Sequence, residues 1–269
     1  MGAQDNQPDW DKMGEKFDMW VPHLAPVGDA ILGVLDAHPG QRVLDVACGT
    51  GEPALTLARR MGDAVHITAV DAADGMVRIA RKKAVLENLN IDFHTMPAEN
   101  LGFPDASFDR IMSRFGVMLF ADPQQGLNEM SRVLSNDGRF ALAVWSTAET
   151  MPTMHWSYKV IAPRLAEDLH PPLAKITSLS GPGVLEDLLY KAGFGDFDIE
   201  RKEFSYTFDS FDHYWDTVEA SDVLKAQFDA LPASERANIR DEVGRLARDF
   251  IKDGQFAVPH EYLLAYGRR

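Results

Sequence analysis

Val43-Leu44-Asp45-Val46-Ala47-Cys48-Gly49-Thr50-Gly51 decides how this chain reads: an apolar strand with one acidic residue runs straight into a tight glycine loop. Only a residue without a Cβ takes positive φ cheaply and lets a ligand lie against the backbone, and Gly49 and Gly51 supply two such positions. Pro53 then stands where a first helical residue belongs, and Ala54, Leu57, Ala58 and Met61 recur at helical spacing. Gly49, Gly51 and Ala54 also satisfy the loose G-x-G-x-x-G/A pattern of dinucleotide-binding loops. Asp45 and Glu52 argue against that ligand, because a pyrophosphate needs a positive field and free N–H groups where these two carboxylates stand. A nucleoside ligand with cationic groups and no phosphate meets no such objection.

Working outward, Val65 to Val70 reads as a second strand ending at Asp71, at the distance where a carboxylate accepts hydrogen bonds from both hydroxyls of a ribose. The plainer reading of Asp71 is a cap for the helix starting near Asp74. Ile91 to Thr95 is a third strand, and the turn Phe103-Pro104-Asp105-Ala106-Ser107 feeds a fourth that ends at Ser113-Arg114-Phe115-Gly116-Val117-Met118. Asp122-Pro123 opens a helix with Leu127, Met130, Val133 and Leu134 on one face, and Asn136-Asp137-Gly138 turns into the apolar run Arg139 to Trp145. Five strand-helix units within 145 residues predict an α/β fold with a doubly wound parallel sheet.

Over roughly residues 10 to 145 these motifs resemble the class I S-adenosylmethionine-dependent methyltransferases, and within them the ubiquinone-biosynthesis group. The resemblance implies a mostly parallel seven-stranded sheet with an antiparallel terminal strand and helical cap insertions. It also implies S-adenosylmethionine as cofactor. Asp45 would hold the glycine loop and the cofactor's amino acid end, with Ala47, Gly49 and Gly51 beneath its methionine and ribose portions. Asp71 would take the ribose, with Ala72 and Met76 along ribose and adenine. Ser113 and Arg114 would lie near the methionine end, with Phe115 and Met118 either an apolar wall or plain core. In the family the turn after the third strand reads Gly-Asp-Ala-Glu-x-Leu; here it is Met96-Pro97-Ala98-Glu99-Asn100-Leu101. Pro97 has neither side-chain acceptor nor N–H, which moves adenine recognition to the Ala98 N–H and Glu99.

Beyond Trp145, Gly183 to Ala192 reads as a helix closed by Gly193, and Phe197 to Phe208 and Phe256 to Tyr266 as strands. The whole chain, 1–269, is then one domain, with a cofactor-binding half at 37–145 and substrate-cap segments at 146–182 and 209–253. Residues 1–36, with Trp10, Phe17, Trp20 and Val21, form N-terminal lid helices that either exclude water from the site or simply pack on the sheet. The cap aromatics Trp156, Tyr158, Phe211, Tyr214 and Trp215 suit a partly apolar acceptor and equally suit the cap's own core.

Composition limits the partners. At 269 residues and 45% hydrophobic content the chain can bury one large core. A net charge of −14 argues against nucleic acid, whose binders neutralise phosphates with clustered Lys and Arg. The run Arg81-Lys82-Lys83 reads as a solvated helix face. Met1 to Pro8 lacks the pattern of a signal peptide, and no run approaches eighteen apolar residues, so a cytoplasmic protein without a membrane span is expected. The single cysteine, Cys48, reads as a small residue in a crowded loop, and eight scattered histidines predict no metal site.

The activity implied is direct displacement, an acceptor atom of a small molecule attacking the sulfonium methyl. Where the acceptor carries a proton a general base is needed, and His155 is the first candidate because it follows the fifth strand. Glu149, Tyr158 and His170 rank behind it. Competing readings are a cofactor-binding protein of the same fold that transfers no methyl or runs another reaction, and, more remotely, a nicotinamide-dependent oxidoreductase.

Overall fold

The computed structural model describes residues 9–269; the expectation about Met1 to Pro8 lies outside them. One sheet organises the chain. Its strands are β1 (Arg42–Val46), β2 (His66–Asp71), β3 (Ile91–Thr95), β4 (Phe108–Arg114), β5 (Leu134–Trp145), β6 (Asp196–Phe208), β7 (Ile251–Lys252) and β8 (Gln255–Arg268). Spatial order is β3-β2-β1-β4-β5-β8-β6, with the two-residue β7 paired to β8. The expected seven-stranded path is present, and β7 adds an eighth strand in a hairpin turn. β1 to β5 pair in parallel and β8 is antiparallel to both its neighbours β5 and β6.

The helices are α1 (Trp10–Phe17), α2 (Ala25–Leu35), α3 (Ala54–Met61), α4 (Asp74–Leu86), α5 (Pro123–Val133), α6 (Pro152–Ile161), α7 (Leu173–Ile176), α8 (Val184–Lys191), α9 (Phe211–Ala220), α10 (Lys225–Asp229) and α11 (Ala233–Ala247). Each helix of the first half turns one apolar stripe to the sheet: Val27, Ile31 and Leu35 on α2, Val77, Ala80 and Ala84 on α4, Leu127, Met130 and Val133 on α5, all buried. With β1 buried at four of its five positions, this is the continuous apolar strand expected of a sheet covered on both faces. α5 starts where predicted, the Asp122 carboxylate accepting the Gln125 N–H at 3.1 Å.

One turn is different from the sequence reading. Asn136-Asp137-Gly138 lies inside β5, where the pairing with β4 jumps from Phe108↔Leu134 to Arg110↔Arg139. The extra residues are accommodated as an irregularity in one long strand, because parallel pairing resumes on both sides of them. A Cβ on Gly138 would stand 2.8 Å from the backbone oxygen of Ser135, which cannot swing aside as a side chain would, so glycine is what permits the tight path.

β6 and β8 continue together past the end of β5, whose last pair is Trp145↔Tyr262. The extension obeys strand alternation: Phe204, Tyr206 and Phe208 on β6 and Phe256, Val258 and His260 on β8 are buried, while Glu203, Ser205 and Thr207 between them are exposed. Its apolar face carries a band of rings. Trp20 lies edge-on to Tyr206, Phe208 and Tyr214, and Trp145 is stacked between Phe115 at 3.9 Å and Phe204 at 5.9 Å. Among the described residues no helix is long and apolar enough to cross a membrane.

Candidate functional site at the carboxyl ends of β1, β2 and β4

Strand order reverses between β1 and β4, so the loops after β1, β2 and β4 open at the switch point of the sheet, where open α/β folds place ligands. The loop after β1 is held in unusual backbone geometry. Ala47 (φ 58°), Gly49 (φ 54°) and Gly51 (φ 108°) all lie in the left-handed region. For Gly51 the reason is also steric, since a Cβ would meet Leu55 Cδ1 at 2.7 Å; at Gly49 no atom lies within 4 Å of the place a Cβ would take, leaving an open backbone surface.

Asp71 locks that loop from the next strand. One carboxylate oxygen accepts the Gly49 N–H at 2.8 Å and the other accepts the Ala73 N–H at 2.9 Å. Asp71 does not cap α4, whose N-cap is Ala73 with no side-chain cap bond; its bond to Ala73 closes the turn ahead of that helix, and each oxygen keeps a further lone pair. Burial raises its pKa, opposed by the two N–H donors.

Asp45 lies deeper, fully buried, with Oδ2 accepting the Ala54 N–H at 3.2 Å and Oδ1 without a partner. Desolvation pushes its pKa up to about 8, against the opposing pull of Arg114 and the Ala54 N–H. Arg114 donates from Nη1 to Leu24 O at 3.3 Å, and burial lowers its pKa while the charge of Asp45 raises it. Ser113 Oγ is buried and unpartnered as well. Unsatisfied buried polar atoms are few in native structures, and two on adjacent strand ends mark a place prepared for a ligand or water.

Several sequence-predicted residues have structural work. Glu52 accepts from Thr56 N at 3.0 Å and Oγ1 at 2.7 Å and pairs with Arg59 at 2.6 Å, so its charge is engaged with α3 rather than directed at the glycine loop. Glu99 accepts the Asp122 N–H at 3.1 Å, which turns its carboxylate toward the start of α5. Ala98 and Met76 are buried; Ala72 is exposed, beside Asp71. Phe115 and Met118 are core, Phe115 stacked on Trp145. Cys48 is buried with its thiol pKa pushed up, so it stays protonated and is no nucleophile.

His155 stands on the first turn of α6, and its Nδ1 is buried without a hydrogen-bond partner. Of the cap aromatics, Tyr214 and Trp215 are core and Trp156 packs on Phe250 at 5.2 Å. Of the run Arg81-Lys82-Lys83, Arg81 and Lys82 are exposed, as expected of a solvated face, and the exception is the half-buried Lys83. Its Nζ donates to Asp18 at 2.6 Å, while Arg81 donates to Phe93 O at 2.8 Å. Thr50, whose hydroxyl donates to Asp18 at 2.5 Å, was passed over in the sequence because Asp18 is 32 residues away and no local pattern couples them. Among the described residues no group of three or more His, Cys, Asp or Glu is placed to hold a metal.

Known proteins share this stretch. A family profile described as a methyltransferase domain matches residues 43–138. A ubiquinone/menaquinone biosynthesis C-methyltransferase, UbiE, of Geotalea daltonii is 40% identical over 111 residues, 40% of this chain and 47% of that protein. The aklanonic acid methyltransferase DauC of a Streptomyces species is 32% identical over 133 residues, 49% of this chain and 58% of its own length. The chain spans about half the length of these curated relatives. In fold it is similar to the YcgJ protein of Bacillus subtilis, with a TM-score of 0.63 at 20% identity, over 91% of this chain and 98% of that one. The matched residues run from β1 through the glycine loop, Asp71 and β4 to the bulge of β5, and over that stretch, with the strand order, the chain is similar to the class I S-adenosylmethionine-dependent methyltransferases.

Proposed function

We propose that this protein binds S-adenosylmethionine at the ends of β1, β2 and β4 and transfers its methyl group to a small-molecule acceptor. The observation that carries the reading is the Asp71 carboxylate fixed by the Gly49 and Ala73 N–H groups beside an open Gly49 backbone, with the buried Asp45 Oδ1 unpartnered below. When bound, the cofactor supplies an electrophilic methyl group on a positively charged sulfur.

The chain's own residues bind and orient. Asp71, held at both oxygens, accepts the two ribose hydroxyls with no reorganisation of its own. Gly49 and Gly51, with Ala47 beside them, give the methionine and ribose a surface of bare backbone. Asp45 offers Oδ1 to the ammonium end directly or through one water, Arg114 offers its spare guanidinium donors to the carboxylate, and Ser113 its hydroxyl. Ala72 and Met76 line ribose and adenine, and the Ala98 N–H takes a ring nitrogen; the Glu99 carboxylate, bound to Asp122 N, contributes less to adenine than its sequence position suggests.

Transfer from sulfur to an acceptor in line needs little covalent help from the protein, so positioning and water exclusion provide most of the rate. α1 and the β6/β8 extension with its rings serve as lid and wall, and the segments at 146–182 and 209–253 as the substrate cap. For a hydroxyl or ammonium acceptor, His155 is the proposed base, its Nδ1 making no hydrogen bond within the protein.

Titration calorimetry with S-adenosylmethionine, S-adenosylhomocysteine and NADH is expected to show binding of the first two. Incubation with small phenols, enols, amines and thiols is expected to yield one methylated class and S-adenosylhomocysteine in equal amounts. NADH binding in place of S-adenosylmethionine overturns the cofactor, and binding without transfer to any class overturns the activity.

A further inference from the structure

α1 is tied to the glycine loop itself. The Asp18 carboxylate, at the end of α1, accepts the Thr50 hydroxyl at 2.5 Å from inside the loop, and the Lys83 ammonium at 2.6 Å from α4. Thr50 is buried between the two left-handed glycines, so a shift of either one carries its hydroxyl with it. Lys83 offsets the charge of Asp18, which is about a quarter exposed. At its other end α1 is anchored to α4, where Asp11 Oδ1 accepts the Gly75 N–H at 2.7 Å. Its middle lies on Met76, whose sulfur is 3.5 Å from where a Cβ on Gly14 would be. A second ion pair, Lys16 with Asp222, ties α1 to the turn between α9 and α10.

We propose that the Asp18–Thr50–Lys83 junction is a latch: Asp18 is a positioning residue that couples the pose of the glycine loop to closure of α1 and thereby sets how long the cofactor stays bound. The proposal rests on the reading that this loop holds S-adenosylmethionine. Its physical basis is that a carboxylate shared by a loop hydroxyl and a lysine makes charge-assisted bonds that tie the loop to α1, whereas the loop's backbone bonds run to its own strands and helix: Cys48 N–H to Val70 O at 3.0 Å, Gly49 N–H to Asp71 at 2.8 Å and Leu55 N–H to Gly51 O at 2.8 Å. Breaking the Thr50 arm frees the loop and removes one of the ties at the C-terminal end of α1, while the Gly75 and Lys16 contacts remain.

The test compares the unaltered protein with Asp18→Asn, Thr50→Val, their double variant and Lys12→Ala, which removes only an exposed ion pair on the same helix. Two readouts are taken: the rate at which S-adenosylhomocysteine dissociates, and hydrogen exchange of the α1 amides without cofactor. Asp18→Asn and Thr50→Val are each expected to speed dissociation by about tenfold, the double variant no more than about twofold beyond the singles, because they remove one shared bond. Exchange of α1 is expected to rise in the same variants, and Lys12→Ala to match the unaltered protein in both. Unchanged dissociation and exchange overturn the latch, and so do single effects that simply multiply in the double variant. If the unaltered protein binds no S-adenosylhomocysteine, the functional reading fails, and the exchange of α1 in Asp18→Asn still decides the latch.

Discussion

Two carboxylates at neighbouring strand ends behave in opposite ways because of what each oxygen meets. Asp71 is satisfied by two backbone N–H groups and has lone pairs remaining, so Asp71→Ala removes a loop restraint and, on the proposed function, the ribose acceptor. The expected loss is about 10- to 100-fold in affinity for S-adenosylmethionine by calorimetry, the range for a charge-assisted contact; unchanged affinity would contradict the ribose role. Asp45 instead has one oxygen unpaired in a dry setting and a pKa near 8, against 3.8 for the ordinary side chain. Its folded form holds a proton that its unfolded form has released across that interval. Its stabilising contribution is therefore complete below about pH 4 and is lost as pH rises toward 8. Urea unfolding of the cofactor-free protein between pH 5 and 8 should show stability falling relative to Asp45→Asn, whose side chain does not titrate; parallel profiles would refute this. Cofactor binding is expected to release a proton in the unaltered protein that Asp45→Asn does not release, measurable in buffers of different ionisation enthalpy.

At the scale of elements, close approach of α1 to α4 depends on the absence of side chains. A Cβ on Gly75 would lie 2.1 Å from Asp11 O, in the backbone of the opposing helix, which cannot yield as a flexible side chain would. Gly75→Ala is expected to cost about 1–3 kcal/mol in urea unfolding, as overpacking does, and to expose α1 to protease cleavage while the sheet stays intact. A milder change, Asp122→Ala, removes the cap of α5 and should cost about 1 kcal/mol, seen as a lower melting temperature. Both helices were legible from sequence, since capping and 3.6-residue periodicity are local. The contact between α1 and α4 was not, because Gly14 and Gly75 gain meaning only when paired. The turn at Asn136-Asp137-Gly138 misled for the complementary reason: its residues suit a turn, and pairing with β4 on both sides overrides them.

The whole molecule is held together at the carboxyl edge of the sheet by rings that belong to distant segments. Trp145 at the end of β5 stacks on Phe115 after β4 and on Phe204 of β6, uniting the parallel strands with the later antiparallel pair. Trp145→Ala is expected to cost about 3–5 kcal/mol, the range for deleting a buried large ring, and to broaden the unfolding transition if the two halves come apart; a loss under about 1 kcal/mol would show that the halves are coupled elsewhere. Along this same edge Tyr206 lies close enough to Arg114 for the guanidinium to oppose the burial that raises the phenol's pKa, so the ring band and the Asp45–Arg114 cluster share one field.

What the sequence determined by itself is the part of this protein governed by short range: the strand, loop and helix around Asp45 to Gly51, the spacing that brings Asp71 to the loop, and the alternation that makes a doubly wound sheet. Those follow from φ/ψ limits, periodicity and capping within a few residues. Only the tertiary structure decided that Glu52 and Glu99 are occupied by neighbours, that Asp45 keeps one oxygen free, and that Asp18 meets Thr50 and Lys83. Desolvation and pairing of a charge depend on what the rest of the chain places around it, and that neighbourhood does not exist until the sheet has closed.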